Sequence, residues 1–436
     1  MKVVVNKMSE SKDSGNIFIY NIGTLATPLG NSARKGNEHN DIQIIRNAYV
    51  LIQDGIIIEV GESENTDADP NHILCRHNKF KENTTFFDAK KSLVTPGFVD
   101  CHTHLVFGGW RHKEFPLKLA GVPYLDILKQ GGGILNSVES TREASFDELF
   151  GKAHSLLDEC LKGGVTTVEA KSGYGLDLET EVKCLEVSNK LNSEHAVDIV
   201  STYMGAHAMP KEYENNRQVY INLMINEVIP FVSNQKLAEF CDVFCELSAF
   251  NVEESKEILR VAKKHGLGLK MHADEINNLE GASTATELGC ISAEHLIKIS
   301  DDGIRAIANS DTIAVCLPCT SFYLNEDFAP AKKIIEAGGS VALATDFNPG
   351  STPNLNMLLA VCMACYKYRL SPSEALTAAT LNAAASIGRA DTIGSLETGK
   401  KGDLVIWNAE NLDYLFYRYG TNLAKNVIKS GHIVVT

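Results

Sequence analysis

The chain has 436 residues, 44% hydrophobic, 22% charged and 7% aromatic, with 33 Gly and 12 Pro. That is the make-up of a globular protein with a sizeable core, and it excludes disordered, collagen-like and disulfide-miniprotein classes. The 41 Lys and Arg against 55 Asp and Glu leave a net charge of −14, and no local basic patch offsets it, so neither a nucleic acid nor an anionic membrane is expected as a partner.

The start turns polar after Val5 and lacks a signal-peptide core, and no stretch approaches the roughly 18 to 20 apolar residues of a membrane span. With 11 scattered Cys pointing to reduced thiols, a cytoplasmic location is expected. IFIYNIGTLATPL and AYVLIQDGIIIEVGE then read as strands broken by Gly, Asn and Asp turns. The polar stretch ENTDADPNHILCRHNKFKEN reads as an irregular loop.

From about Thr95 to Arg389, short apolar runs alternate with helical patterns. The runs are GFVDCHTH, VTTVEAKSG, DIVSTYMGAH, FCDVFCEL, LGLKMHADE, CISAEHL, TIAVCLPC and VALATDF. Near-continuous apolar runs separated by helices mark parallel strands buried on both faces, and eight such units predict a (β/α)8 TIM-like barrel. Gly131, Gly132 and Gly133, in the connection between the first run and its helix, lack phosphate-loop spacing and read as a flexible lid or tight turn. GSLETGKKGDLVIWNA and NVIKSGHIVVT return to the strand style of the N-terminus. The expected organisation is therefore a small β-sandwich domain built from residues 1–94 and 390–436 around a barrel at 95–389.

Two CxxC pairs, Cys316 with Cys319 and Cys362 with Cys365, invite a zinc-ribbon reading. Leu358, Val361, Cys362 and Cys365 recur at helical spacing, however, so the thiols are read as small buried apolar groups.

In a barrel the C-terminal strand ends face the catalytic mouth. The first run ends in His102 and His104, which point to one side of a strand; the fifth ends in His272, the sixth in His295 and the eighth in Asp346. His102, His104, His272 and Asp346 make a complete mononuclear site for a borderline divalent cation. The fourth run offers no lysine to bridge two metals, so one is expected; Lys171, in the second run, reads as solvated or internally salt-bridged. Such a metal acidifies water and polarises a carbonyl, which suits hydrolysis or deamination. Glu275, three residues after His272, is the candidate general acid/base. His295 is placed to hydrogen-bond the water or a developing oxyanion, and His207 to touch substrate. His112, His154, His195 and His265 are expected to be solvated.

The segments CHTHLVFGGWR, EAKSGYGL, MGAHAMP, MHADEI, AEHL and ATDFNPGS together resemble the imidazolonepropionases, a family of the amidohydrolase superfamily. The match runs from about Thr95 to the C-terminus; the N-terminal part fits more loosely and carries a longer polar segment from Gly30 to Asn40. The resemblance implies hydrolysis of the ring C–N (cyclic amide) bond of 4-imidazolone-5-propanoate to N-formimidoyl-L-glutamate, a step of histidine degradation. It implies zinc or iron on His102, His104, His272 and Asp346, and a homodimer. It also implies substrate contacts from Arg111, Tyr174, His207, Glu275, Asn348, Gly350 and Ser351. Arg111 lies seven residues beyond His104, where a guanidinium can grip the substrate carboxylate. Side chains and backbone N–H groups of the turn after Asp346 are expected to meet the ring or carboxylate. In the expected mechanism Glu275 takes the proton of the attacking water and delivers it to the departing ring nitrogen, His295 helps hold the oxyanion, and Asp346 can share the base role. The rivals are a deaminase of another heterocycle and a noncatalytic scaffold, which should have lost metal ligands.

Overall fold

The computed structural model describes residues 15–63, 83–122 and 132–436. Nearly all of the polar stretch from residue 64 and Gly131 of the glycine cluster lie outside the described residues.

In chain order the first strands are β1 (Ile17–Pro28), β2 (Ile42–Gln53), β3 (Ile56–Glu62), β4 (Thr85–Asp88) and β5 (Leu93–Pro96). The eight apolar runs become β6 (Phe98–Asp100), β7 (Val165–Lys171), β8 (Asp198–Ala206), β9 (Phe240–Cys245), β10 (Gly268–Ala273), β11 (Ser292–His295), β12 (Ile313–Cys316) and β13 (Val341–Leu343). β14 (Leu404–Trp407), β15 (Ala424–Lys429) and β16 (His432–Val435) follow.

β6 to β13 pair in sequence order, each neighbour parallel to the last. The ring closes just beyond the strand ends, where His104 N donates to Phe347 O at 2.8 Å and Asp346 N to His102 O at 3.1 Å. The seam of the barrel is thus stitched by the segments that carry three of the expected metal ligands. Every residue of β7, β9 or β10 that could pack is buried or nearly so, as strands covered on both faces must be. Some of the surrounding helices start on strong caps: Ser145 and Glu148 form a capping box on the helix Phe146–Lys162, and Asn251 and Glu254 form another on Val252–Lys264. Among the described residues no helix is long and apolar enough to cross a membrane.

The second sheet runs β16-β15-β14-β5-β1-β2-β3, with β4 on β1. The two termini meet where β14 pairs antiparallel with β5, around a core that includes Ile17, Val50, Leu404 and Ile428. Trp407 joins this sheet to the barrel: its ring packs on Phe98 at 5.2 Å, and its N–H donates to Thr95 Oγ1 at 2.8 Å, so a large buried aromatic keeps its polar group satisfied.

The Gly30–Asn40 segment docks at the base of the barrel. Gly36 N donates to Gly339 O at 3.0 Å, and the buried His39 ring accepts the Val341 N–H on Nε2 at 3.0 Å. Val341 opens β13, so this contact lies at the strand end opposite the mouth.

Cys316, Cys319 and Cys362 are buried in apolar core, and burial pushes each thiol up to about 12. His112 is exposed, and His154 and His265 are half-buried. The expectation of a solvated His195 is corrected: it is fully buried where it ends the helix Leu178–Glu194. Its Nδ1 accepts the Val197 N–H at 3.0 Å, so the proton sits on Nε2, 3.2 Å from Asp158 Oδ1. His154, Asp158 and His195 have the spacing of a metal site, but this tautomer gives Asp158 a donor where an ion needs a lone pair.

Candidate metal centre and active site

His102, His104 and Asp346 bring ligand atoms together, as do His102, His272 and His295. Asp346 Oδ1 lies 3.3 Å from His102 Nε2 and 3.8 Å from His104 Nε2. Donors that bind one ion at about 2.0–2.2 Å can be up to about 4.4 Å apart, so these fit. The buried His272 Nε2 has no hydrogen-bond partner among the described residues, a costly arrangement for a polar atom unless its lone pair serves as a ligand. Thr320 Oγ1 donates to Asp346 Oδ2 at 2.7 Å, which turns Oδ1 toward the imidazoles. Asp346 and His295 both take left-handed backbone, with φ of 55° and 73°. Such strain clusters at working sites, and at His295 it has a visible use. Neighbours on a regular strand face opposite ways, yet both Glu294 and His295 reach His102.

Beneath the ligands lies a layer of buried charge that the sequence reading had only in fragment. Glu294 Oε2 faces His102 Nδ1 at 2.5 Å, and Asp242 Oδ2 faces His272 Nδ1 at 3.0 Å. Each carboxylate fixes its ring with the proton on Nδ1 and Nε2 turned to the centre. Lys171 is the internal salt-bridging lysine, with Asp242, Glu294 and Glu169 at 2.7, 3.0 and 3.1 Å, and Lys270 joins Glu169 and Glu294. Burial would raise the Glu294 carboxyl, but Lys171, Lys270 and His102 hold it well below its ordinary value. Burial likewise opposes ionisation of Asp242, yet His272 and Lys171 bring it down to about 2.

Glu275 and His295 stand over this centre, with Oε1 and Nδ1 3.5 Å apart. Burial, then Asp346 and Glu246, push the Glu275 carboxyl up to about 8. Asp346 behaves oppositely: burial is outweighed by His102, His295 and Thr320, which hold it at about 2. Glu246 also anchors the Glu275 loop by accepting the N–H groups of Ile276 and Asn277 at 3.1 and 3.0 Å. His207 stacks on His104 with ring centres 4.7 Å apart, and Tyr174 packs on both. Burial and the neighbouring His272 lower His207 to about 3, so its ring is neutral.

Arg111 approaches the turn that follows Asp346. Glu114 holds its Nε–Nη2 edge at 2.9–3.1 Å, and Gly133 N donates to Glu114 at 2.8 Å. A Cβ at Gly350 would lie 2.0 Å from an Arg111 Nη, so glycine there lets the guanidinium lie against the turn. The turn differs from expectation in one respect. The N–H groups of Gly350 and Ser351 both donate to Asn348 Oδ1, at 2.8 and 2.7 Å, and Asn348 Nδ2 donates to Ser351 Oγ and Asp346 O. Asn348 therefore shapes the turn, and the backbone donors expected to meet substrate are spent inside it.

Known proteins resemble this chain along nearly its whole length. The model of the amidohydrolase family matches residues 235–434. An imidazolonepropionase of Clostridium tetani is 49% identical over 420 residues, 96% of this chain and 98% of that protein. An imidazolonepropionase of Streptococcus sanguinis is 48% identical over 401 residues, 92% of this chain and 93% of its own. Among solved structures, an adenosine deaminase from Xanthomonas campestris with bound zinc superposes with a TM-score of 0.69 at 18% identity, covering 97% of this chain and 93% of that one; at that identity it speaks for the fold alone. The chain belongs to the imidazolonepropionase family of the amidohydrolases.

Proposed function

We propose that the protein hydrolyses the cyclic amide of 4-imidazolone-5-propanoate to N-formimidoyl-L-glutamate, using one divalent ion, zinc or iron, on His102, His104, His272 and Asp346. The observation that carries this reading is the pairing of two features at one barrel mouth: two overlapping donor triads, His102–His104–Asp346 and His102–His272–His295, and a guanidinium seated on the turn that follows Asp346. A neutral purine or pyrimidine would have no use for the second, and a noncatalytic scaffold no use for the first.

When bound there, a divalent ion acidifies water and polarises the ring carbonyl. The protein's own groups divide the proton work by their environments. Glu275, poised near neutrality, accepts the proton of the attacking water and returns it to the departing ring nitrogen. Asp346, held ionised, serves as ligand rather than proton carrier. His295, neutral because burial lowers it, donates a hydrogen bond toward the oxyanion. Arg111 binds the propanoate carboxylate, while Tyr174 and His207 line the ring's path past His104.

The test is turnover of fresh 4-imidazolone-5-propanoate beside a panel of purines and pyrimidines, before and after chelation. Loss of imidazolone that stops with the chelator and returns with zinc or iron supports the proposal. Ammonia release from another heterocycle, with imidazolone untouched, would assign the site to a deaminase.

A further inference from the structure

Lys118 lies in the short helix Phe115–Leu119, in the connection that follows β6, His102 and His104. Its Nζ donates to Gly350 O at 2.8 Å, the same glycine whose missing Cβ makes room for Arg111. Two cations from one loop thus flank a single residue, four positions beyond Asp346. The Tyr323 ring, 5.2 Å from Nζ, steadies the lysine by a cation–π contact.

Charge balance gives this arrangement a purpose. Arg111 is bound edge-on by Glu114, which offsets part of its charge, so a second cation strengthens the pull on an arriving carboxylate. No carboxylate among the described residues pairs with Lys118. Gly350 O uses one of its three N–H donors. Burial and the Arg111 charge both press the Lys118 ammonium below its ordinary value, with Glu114 opposing.

We propose that Lys118 is a specificity-determining contact for the substrate carboxylate, binding it together with Arg111 across Gly350. This rests on the imidazolone reading above. In that role Lys118 supplies the positive charge that Glu114 takes from Arg111, and the carboxylate is gripped by a planar fork on one side and a point charge on the other.

The experiment compares 4-imidazolone-5-propanoate with its neutral propionamide in the wild type and in Lys118→Ala and Lys118→Arg. A charge-assisted hydrogen bond sets the scale: in Lys118→Ala the preference for acid over amide, as a ratio of kcat/KM, falls about tenfold or more. The loss appears in KM of the acid, grows less as salt is added, and is largely restored in Lys118→Arg. Equal losses on acid and amide would show that Lys118 only supports the loop and would overturn the assignment, as would a Lys118→Ala enzyme with the wild-type ratio. A wild-type protein that turns over neither compound would overturn the imidazolone reading itself, and this assignment with it.

Discussion

Glu275 and Asp346 are both carboxylates beside one centre, and only their surroundings tell them apart. The sequence reading left the base role open to both; the separation comes from burial and from which neighbours are charged, giving about 8 for one and about 2 for the other. Glu275→Gln should therefore keep its metal while kcat falls by about 10²- to 10⁴-fold, measured as turnover beside metal analysis of the same sample. A variant within a few-fold of wild type would move the proton work to His295 or Asp346. That these side chains converge was readable because strand ends face the mouth of a barrel and HxH puts two imidazoles on one side. Their supports were not. Asp242, Glu294 and Lys270 stand in apolar runs where charge is out of place, and that is a signal that each must be paired. Which charge pairs with which depends on strands distant in sequence, so His102 with Glu294 and His272 with Asp242 emerge only in three dimensions.

At the scale of elements, the strand runs were the most legible part of the chain, since all eight appear in the order read from their apolar pattern. His195 was misread because a helix end that turns inward looks, in sequence, like one that turns outward. The Gly30–Asn40 segment was equally opaque: in sequence it shows only as a longer polar segment, yet it pins the base of β13 through His39. That ring accepts the Val341 N–H on Nε2 and meets Gly36 O through Nδ1 at 2.9 Å, which requires the neutral form. Burial, the largest influence, lowers its pKa below the ordinary 6.5. The unfolded chain then binds a proton that the folded one refuses, so this contribution to stability is complete above pH of about 6.5 and is lost as pH falls below it. Denaturant unfolding of His39→Gln between pH 7 and 5 should show a shallower decline than wild type, by at most one proton, or about 1.4 kcal/mol per pH unit. Parallel slopes would place the acid sensitivity in other buried imidazoles.

The whole molecule couples a terminal sheet, a barrel and a mouth whose seam is made by the ligand-bearing segments themselves. His102, His104 and Asp346 thus take part both in the closing hydrogen bonds and in one of the donor triads. The fold neighbours at 16–18% identity include deaminases of purines, so the architecture alone leaves the reaction open; what separates ring opening from deamination is where the water oxygen goes. The decisive measurement is mass spectrometry of the product formed from 4-imidazolone-5-propanoate in ¹⁸O-water. Ring opening predicts one ¹⁸O in the new α-carboxylate of N-formimidoyl-glutamate and no ammonia. Ammonia release, or a product without the label, would contradict the account.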